Sequence, residues 1–216
     1  MQVSFVIPVF NQLAFTQKCR ESLDAHLSSQ LEVEVIWVND GSDQSTREYL
    51  DSLPPPHRII HLENNCGFAR ATNRGAFAAT GDWICLLNND VEISAGAIEA
   101  MLEVGDRHPD AGIIGNIQTV PATGAVDHTG IEFVDGGYPL HRRDDPQELP
   151  SRGTALEVVA VTAACCLVRR DWFVAMGGLD ERYINGFEDV DLCMRAREAG
   201  WKIYLATHSN VSHAVS

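Results

Sequence analysis

The sequence predicts an α/β fold in which helices flank one mostly parallel sheet. Three observations predict it. Apolar runs of strand length alternate with helical periodicity through the first half of the chain, and most of these runs end in a polar loop that opens with Asn, Asp or Glu. The length, 216 residues, suits one large α/β unit better than two small ones.

Residues 3–10 are a nearly continuous apolar run, as a strand covered on both faces requires, and Leu13, Cys19, Leu23 and Leu27 then recur at near-helical spacing. Residues 33–38 predict a second strand, 45–53 a short helix stopped by Pro54, Pro55 and Pro56, and 58–62 a third strand. The small-residue stretch 67–79 predicts a helix, 80–82 a turn, and 83–87 the strongest strand. A helix near 95–107 and an apolar run at 113–117 follow. Between 119 and 154 the composition shifts to Gly, Pro and charge, which marks a long loop or a small hairpin insertion, in a compact domain usually functional or mobile. Residues 158–169 are apolar again, 188–199 predict a helix ended by Gly200, and 201–206 and 210–213 two short strands.

Composition narrows the function. A net charge of −14 with no basic cluster excludes nucleic acid as a partner. The same acidity means that an anionic diphosphate needs a divalent cation or a local arginine where it binds. The six cysteines form no CxxC pair and mostly lie in apolar runs, so a reduced, buried set is expected rather than disulfides or zinc. The start of the chain lacks a signal-peptide pattern and no apolar run approaches ~18 residues, so a cytoplasmic protein is expected, with membrane attachment only through parts outside this chain.

Four constellations carry chemistry. In Val35-Ile-Trp-Val-Asn-Asp40-Gly-Ser, a buried strand delivers a carboxylate that can accept the imide N–H of uracil or thymine; the same residues also suit a turn capping the next helix. In the 65–75 stretch, small residues permit close backbone approach and Arg70 offers a cation for a base or diphosphate, or else shares a solvated face with Arg74. Asp90, closing Leu87-Asn-Asn-Asp, can supply a hard oxygen ligand to Mg²⁺ or Mn²⁺ or cap a helix. His213 is a candidate second ligand, and imidazole with carboxylate favours Mn²⁺. Finally, Glu188, Asp189 and Asp191 crowd the first turn of one helix, more acid than a cap needs, and one of them can serve as a general base.

Taken with the opening Val6-Ile-Pro-Val-Phe-Asn and the Gly-Gly-Leu-Asp180-Glu run, these residues resemble family 2 glycosyltransferases, especially the bacterial rhamnosyltransferase-like branch. The resemblance spans nearly the whole chain. It implies a GT-A fold, a Rossmann-like, mostly parallel sheet flanked by helices with a smaller acceptor-side portion, as one domain over 1–216. Residues 1–117 would be the nucleotide-sugar half and 118–216 the acceptor and catalytic half. It implies a donor site of Pro8, Val9, Asp40, Arg70 and Asn89, with Asp90 in the metal position of the DxD motif and His213 as the late histidine ligand. Asp189 matches the base, with Glu188 and Asp191 supporting it or touching the acceptor.

The implied reaction is an inverting, Mn²⁺- or Mg²⁺-dependent transfer from a UDP- or dTDP-sugar to a hydroxyl of a glycan or lipid-linked glycan, in bacterial surface polysaccharide or glycan assembly. Asn88 and Asn89 stand where many DxD motifs carry acids. The QxxRW motif of processive members is absent, so non-processive transfer is expected. The chain stops three residues after His213, where related enzymes continue, so it reads as a domain of a longer protein. Two alternatives remain: a binding-only module on the donor fold, and a sugar nucleotidyltransferase. The latter needs a glycine-rich basic loop after the first strand, where this chain has Pro8-Val-Phe-Asn-Gln12.

Overall fold

The computed structural model describes residues 2–149, 155–184 and 186–214. Strand and helix alternate first, through β1 (Gln2–Val9), α1 (Leu13–His26), β2 (Glu32–Asp40), α2 (Gln44–Asp51), β3 (His57–Leu62), α3 (Phe68–Ala78) and β4 (Trp83–Leu87). Next come β5 (Val91–Ile93), α4 (Ala97–Arg107) and β6 (Ala111–Thr119). The insertion contains β7 (Val126–His128) and a hairpin of β8 (Ile131–Val134) and β9 (Tyr138–His141). The chain then forms β10 (Ala155–Val158), β11 (Cys165–Arg169), α5 (Arg170–Ala175), α6 (Glu188–Glu198) and β12 (Lys202–His213). Residues 150–154, which close the insertion, and Asn185, within the stretch before α6, lie outside the described residues.

The main sheet runs β10-β12-β6-β11-β4-β1-β2-β3. Its β3-β2-β1-β4 side is parallel throughout. Beyond it, β11 lies antiparallel between β4 and β6, and β12 pairs parallel with β6. Period-two alternation sorts side chains to the two faces. Phe5, Ile7, Trp37 and Leu87 pack under α1 and α4 with Cys19, Leu23, Ile98 and Met101. Val6, Ile36, Val38 and Leu86 pack on the other face with Ala71 and Ala76 of α3 and Leu192 and Ala196 of α6. Gly75 is what lets α3 approach: a Cβ there would lie 2.5 Å from Val6 Cγ1 and 2.8 Å from Val38 Cγ2.

Two of the differences from the expectation bear on the site. The last two predicted strands are one, β12, whose pairing with β6 shifts register between Ala206 and Asn210. The short β5, too brief to show as an apolar run, pairs antiparallel with the end of β12 and aligns His213 with Val91. All six cysteines are free, and all but the half-buried Cys66 are buried.

Candidate active site

The carboxyl ends of β1, β2 and β4 open on one cavity of about 670 Å³. Pro8, Val9, Asp40, Arg70, Asn89 and Asp90 all line it, together with Phe10, Asn65, Cys66, Gly67, Phe68, Asn88 and Ile184. Five dispersed donor residues and one proposed metal ligand thus share a single hollow beyond the strand ends, where α/β sheets bind ligands.

Asp40 ends β2 and is buried, 3% exposed. Its Oδ1 accepts from the backbone N–H of Cys66 (2.8 Å) and from its thiol (3.0 Å), and Oδ2 accepts from Gly67 N–H (3.1 Å). The carboxylate therefore shapes the 65–67 turn as well as facing the cavity. Burial, and then the carboxylate of Asp40, push the Cys66 thiol up to about 11, so it stays protonated and donates. Gly41, at φ 70°, has no substitute, because a Cβ would come within 2.6 Å of Asn65 N.

Arg70 lines the cavity, but its guanidinium is turned to Glu181, with Nε 3.0 Å from Oε2. The sequence suggested a cation free for a base or a diphosphate; in the structure it holds an acidic partner from the 177–187 loop. One turn along, buried Asn73 donates to Leu179 O (2.8 Å) and accepts from Leu179 N–H (2.8 Å), fastening that loop to α3. Asn73 also donates to Glu181 (3.2 Å), and this bond, followed by Arg70, lowers the Glu181 pKa. Asn73 and Glu181 were both inside recognised motifs, but nothing in the sequence showed that they meet.

At the end of β4, Asn88 N–H donates to Ala164 O (2.8 Å), and the Asn89 side chain donates to Thr16 on α1 (3.0 Å). Asp90 Oδ1 lies 3.3 Å from His213 Nε2, both side chains being largely buried. That oxygen is buried and lacks a hydrogen-bond partner. A carboxylate oxygen left unsatisfied beside an imidazole nitrogen fits a divalent cation chemically. Among the described residues no three His, Cys, Asp or Glu side chains converge on a cation site.

The acids of α6 separate into different environments. Asp191 pairs with Arg195 one turn on (2.8 Å). Glu188 is buried with Oε2 unpartnered, and burial, then the neighbouring Asp189, raise its pKa. Asp189 is partly exposed; its Oδ2 accepts from Ala163 N–H (3.3 Å), and Ala164 in turn contacts Asn88. A short path of main chain therefore links Asp189 to the strand end that carries Asp90.

The family model described as "Glycosyl transferase family 2" matches residues 4–177. The chain belongs to glycosyl transferase family 2. His213 and the α6 acids of this family 2 chain lie beyond the matched segment. It is 30% identical over 211 residues to the N-acetylglucosaminyl-diphospho-decaprenol L-rhamnosyltransferase of Mycobacterium tuberculosis, an alignment covering 87% of this chain and 68% of the relative. It is 26% identical to glycosyltransferase AglE of Haloferax volcanii, covering 94% of this chain and 64% of that protein. Among solved structures it resembles GalNAc-T7 with UDP, GalNAc and Mn²⁺ at TM-score 0.84 and 16% identity, spanning 100% of this chain and 44% of that one. S. aureus TarS 1–349 with UDP-GlcNAc matches at TM-score 0.74 and 16% identity, covering 100% of this chain and 59% of that one. The fold is GT-A. Among the described residues, no helix is long and apolar enough to cross a membrane.

Proposed function

We propose that this family 2 glycosyltransferase transfers a hexosyl or deoxyhexosyl group, with inversion, from a UDP- or dTDP-sugar to a hydroxyl of a glycan or lipid-linked glycan in bacterial surface polysaccharide assembly. The observation that carries it is the convergence of Pro8, Val9, Asp40, Arg70, Asn89 and Asp90 on one cavity, with His213 against Asp90. The lipid-linked acceptor rests on the activity for which the mycobacterial relative is named, and a cytoplasmic site of action goes with it.

In this reading Asp40 and the 65–67 turn hold the base, while Asn89 lies near the ribose or diphosphate. Arg70 leaves Glu181 for the diphosphate on donor binding. Asp189 accepts the proton of the acceptor hydroxyl as that oxygen attacks the anomeric carbon from the face opposite the departing nucleoside diphosphate. One displacement inverts the centre and needs no covalent intermediate, as in inverting glycosidases. Glu188, whose pKa is raised first by burial and then by Asp189, borders that base. Mn²⁺ or Mg²⁺ held by Asp90 and His213 would offset the charge growing on the leaving diphosphate.

Titration calorimetry of UDP and dTDP, each with and without Mn²⁺, tests the reading. Metal-dependent binding of one nucleotide is expected and names the donor class. A folded protein that binds neither overturns it in favour of a module without donor chemistry.

A further inference from the structure

We propose that Tyr138 and Phe187 form an acceptor subsite that stacks on the pyranose ring of an uncharged sugar and selects which acceptor reaches Asp189. The inference rests on the transferase reading above and adds to it a ligand class and two specificity-determining residues.

The two rings come from distant elements. Tyr138 opens β9 at the turn of the β8–β9 hairpin, and Phe187 is the residue just before α6, two positions from Asp189. Their centroids lie 6.1 Å apart at an interplanar angle of 80°. Edge-to-face rings form a corner, one ring a floor and the other a wall. Both remain open to solvent, Tyr138 at 57% and Phe187 at 46% exposure, so burial in the core does not account for them.

Phe187 adopts φ 70°, a left-handed conformation that a bulky side chain occupies only under strain. Its carbonyl accepts from Asp191 N–H (2.9 Å) to begin the helix, a task of the backbone that glycine would perform without strain. The aromatic ring at this position therefore serves something other than the cap. It is held immediately beside the acids of α6.

The chemistry of the corner favours carbohydrate. One face of a pyranose carries mostly C–H groups, slightly positive, which suit the negative face of an aromatic ring, while the hydroxyls project at the rim where a carboxylate can reach one. The 131–141 hairpin carries Glu132 and Asp135 but no Lys or Arg. In the neighbouring loop the guanidinium of Arg182 is already bound to Asp180. Arg142 and Arg143, which follow the hairpin, are paired with Asp144 and Asp127, so among the described residues an anionic lipid surface would meet Glu132 and Asp135 and only cations that already hold a carboxylate, whereas a neutral sugar ring carries no charge to be repelled.

The test uses saturation-transfer NMR on the full chain with methyl N-acetyl-β-D-glucosaminide, methyl β-D-galactoside and methyl α-L-rhamnoside as probes, and UDP and dTDP in the same samples. Binding of at least one glycoside is expected, with saturation strongest on one ring face. Tyr138→Ala should weaken it roughly three- to tenfold, and Tyr138→Phe should keep it. Phe187→Gly should lose the sugar while melting no lower than the parent, because it relieves φ strain. Nucleotide binding should be unchanged in Tyr138→Ala.

Three results would overturn the subsite: no glycoside bound by a protein that binds a nucleotide, full binding by Tyr138→Ala, or a lower melting temperature for Phe187→Gly, which would make the ring structural. Capture by phosphatidylglycerol vesicles that depends on Tyr138, without glycoside binding, would reassign the corner to a membrane surface. Loss of nucleotide binding in the parent protein sinks the transferase reading instead, and Tyr138-dependent glycoside binding would still support a sugar site.

Discussion

His213 Nε2 sits 3.3 Å from Asp90 Oδ1, although the two residues lie in separate halves of the chain. The contact exists because β5 pairs with the last residues of β12 and brings His213 opposite Val91. If the pair holds a divalent cation, Asp90→Asn and His213→Ala should each weaken Mn²⁺-dependent nucleotide binding by at least ~10-fold, the lower end of the loss seen when a group that merely supports a metal ligand is removed. Calorimetry with and without Mn²⁺ checks it, and binding that stays equally metal-dependent in both variants removes the pair from the metal site.

Asp189→Asn should keep nucleotide affinity and lower turnover on the order of 10²- to 10⁴-fold, the usual contribution of a positioned base. Its amide can still pack at Ala163 but cannot take a proton. An active variant sinks the base assignment.

The two fastenings of the 177–187 loop should differ in strength. Arg70 and Glu181 are half exposed, so Glu181→Ala should cost at most ~1 kcal/mol of stability. Asn73 is 1% exposed and bonds both main-chain groups of Leu179, so Asn73→Ala should cost roughly 1–3 kcal/mol by leaving them unsatisfied. Urea melts rank the two, and the reverse order would mean that the ion pair is the fastening.

Gly75→Ala improves intrinsic helix propensity yet drives a methyl into Val6 and Val38. Overpacking of that kind should leave the protein less stable by roughly 1–2 kcal/mol, read by denaturant midpoint.

Burial first, and then Arg20, lower the pKa of His57, whose Nδ1 accepts the Trp37 indole N–H at 3.1 Å. A base with a depressed folded pKa adds stability above its ordinary value of ~6.5, and that stability fades as pH falls through the folded value. The melting temperature should therefore drop more steeply on acidification in the parent protein than in His57→Gln. Parallel curves would show that His57 is not the titrating group.

The elements of the donor half and its edge were legible in the sequence. The apolar runs that became β1, β2 and β4 are buried on both faces, and hydrophobic burial is local enough in sequence to be read from pattern alone. The polar residues closing them, Asp40 and 88–90, follow because a strand that leaves a buried sheet ends in groups that can bond the loops it meets, as Asp40 does with Cys66 and Gly67. Tertiary structure alone decided who meets whom. That Arg70 faces Glu181, that Asn73 clasps Leu179, and that Tyr138 reaches Phe187 depend on side-chain direction and loop path. The antiparallel insertion of β11 and the single bulged β12 were likewise invisible, because strand partners are chosen by hydrogen bonds between distant segments and an apolar run looks the same in either direction.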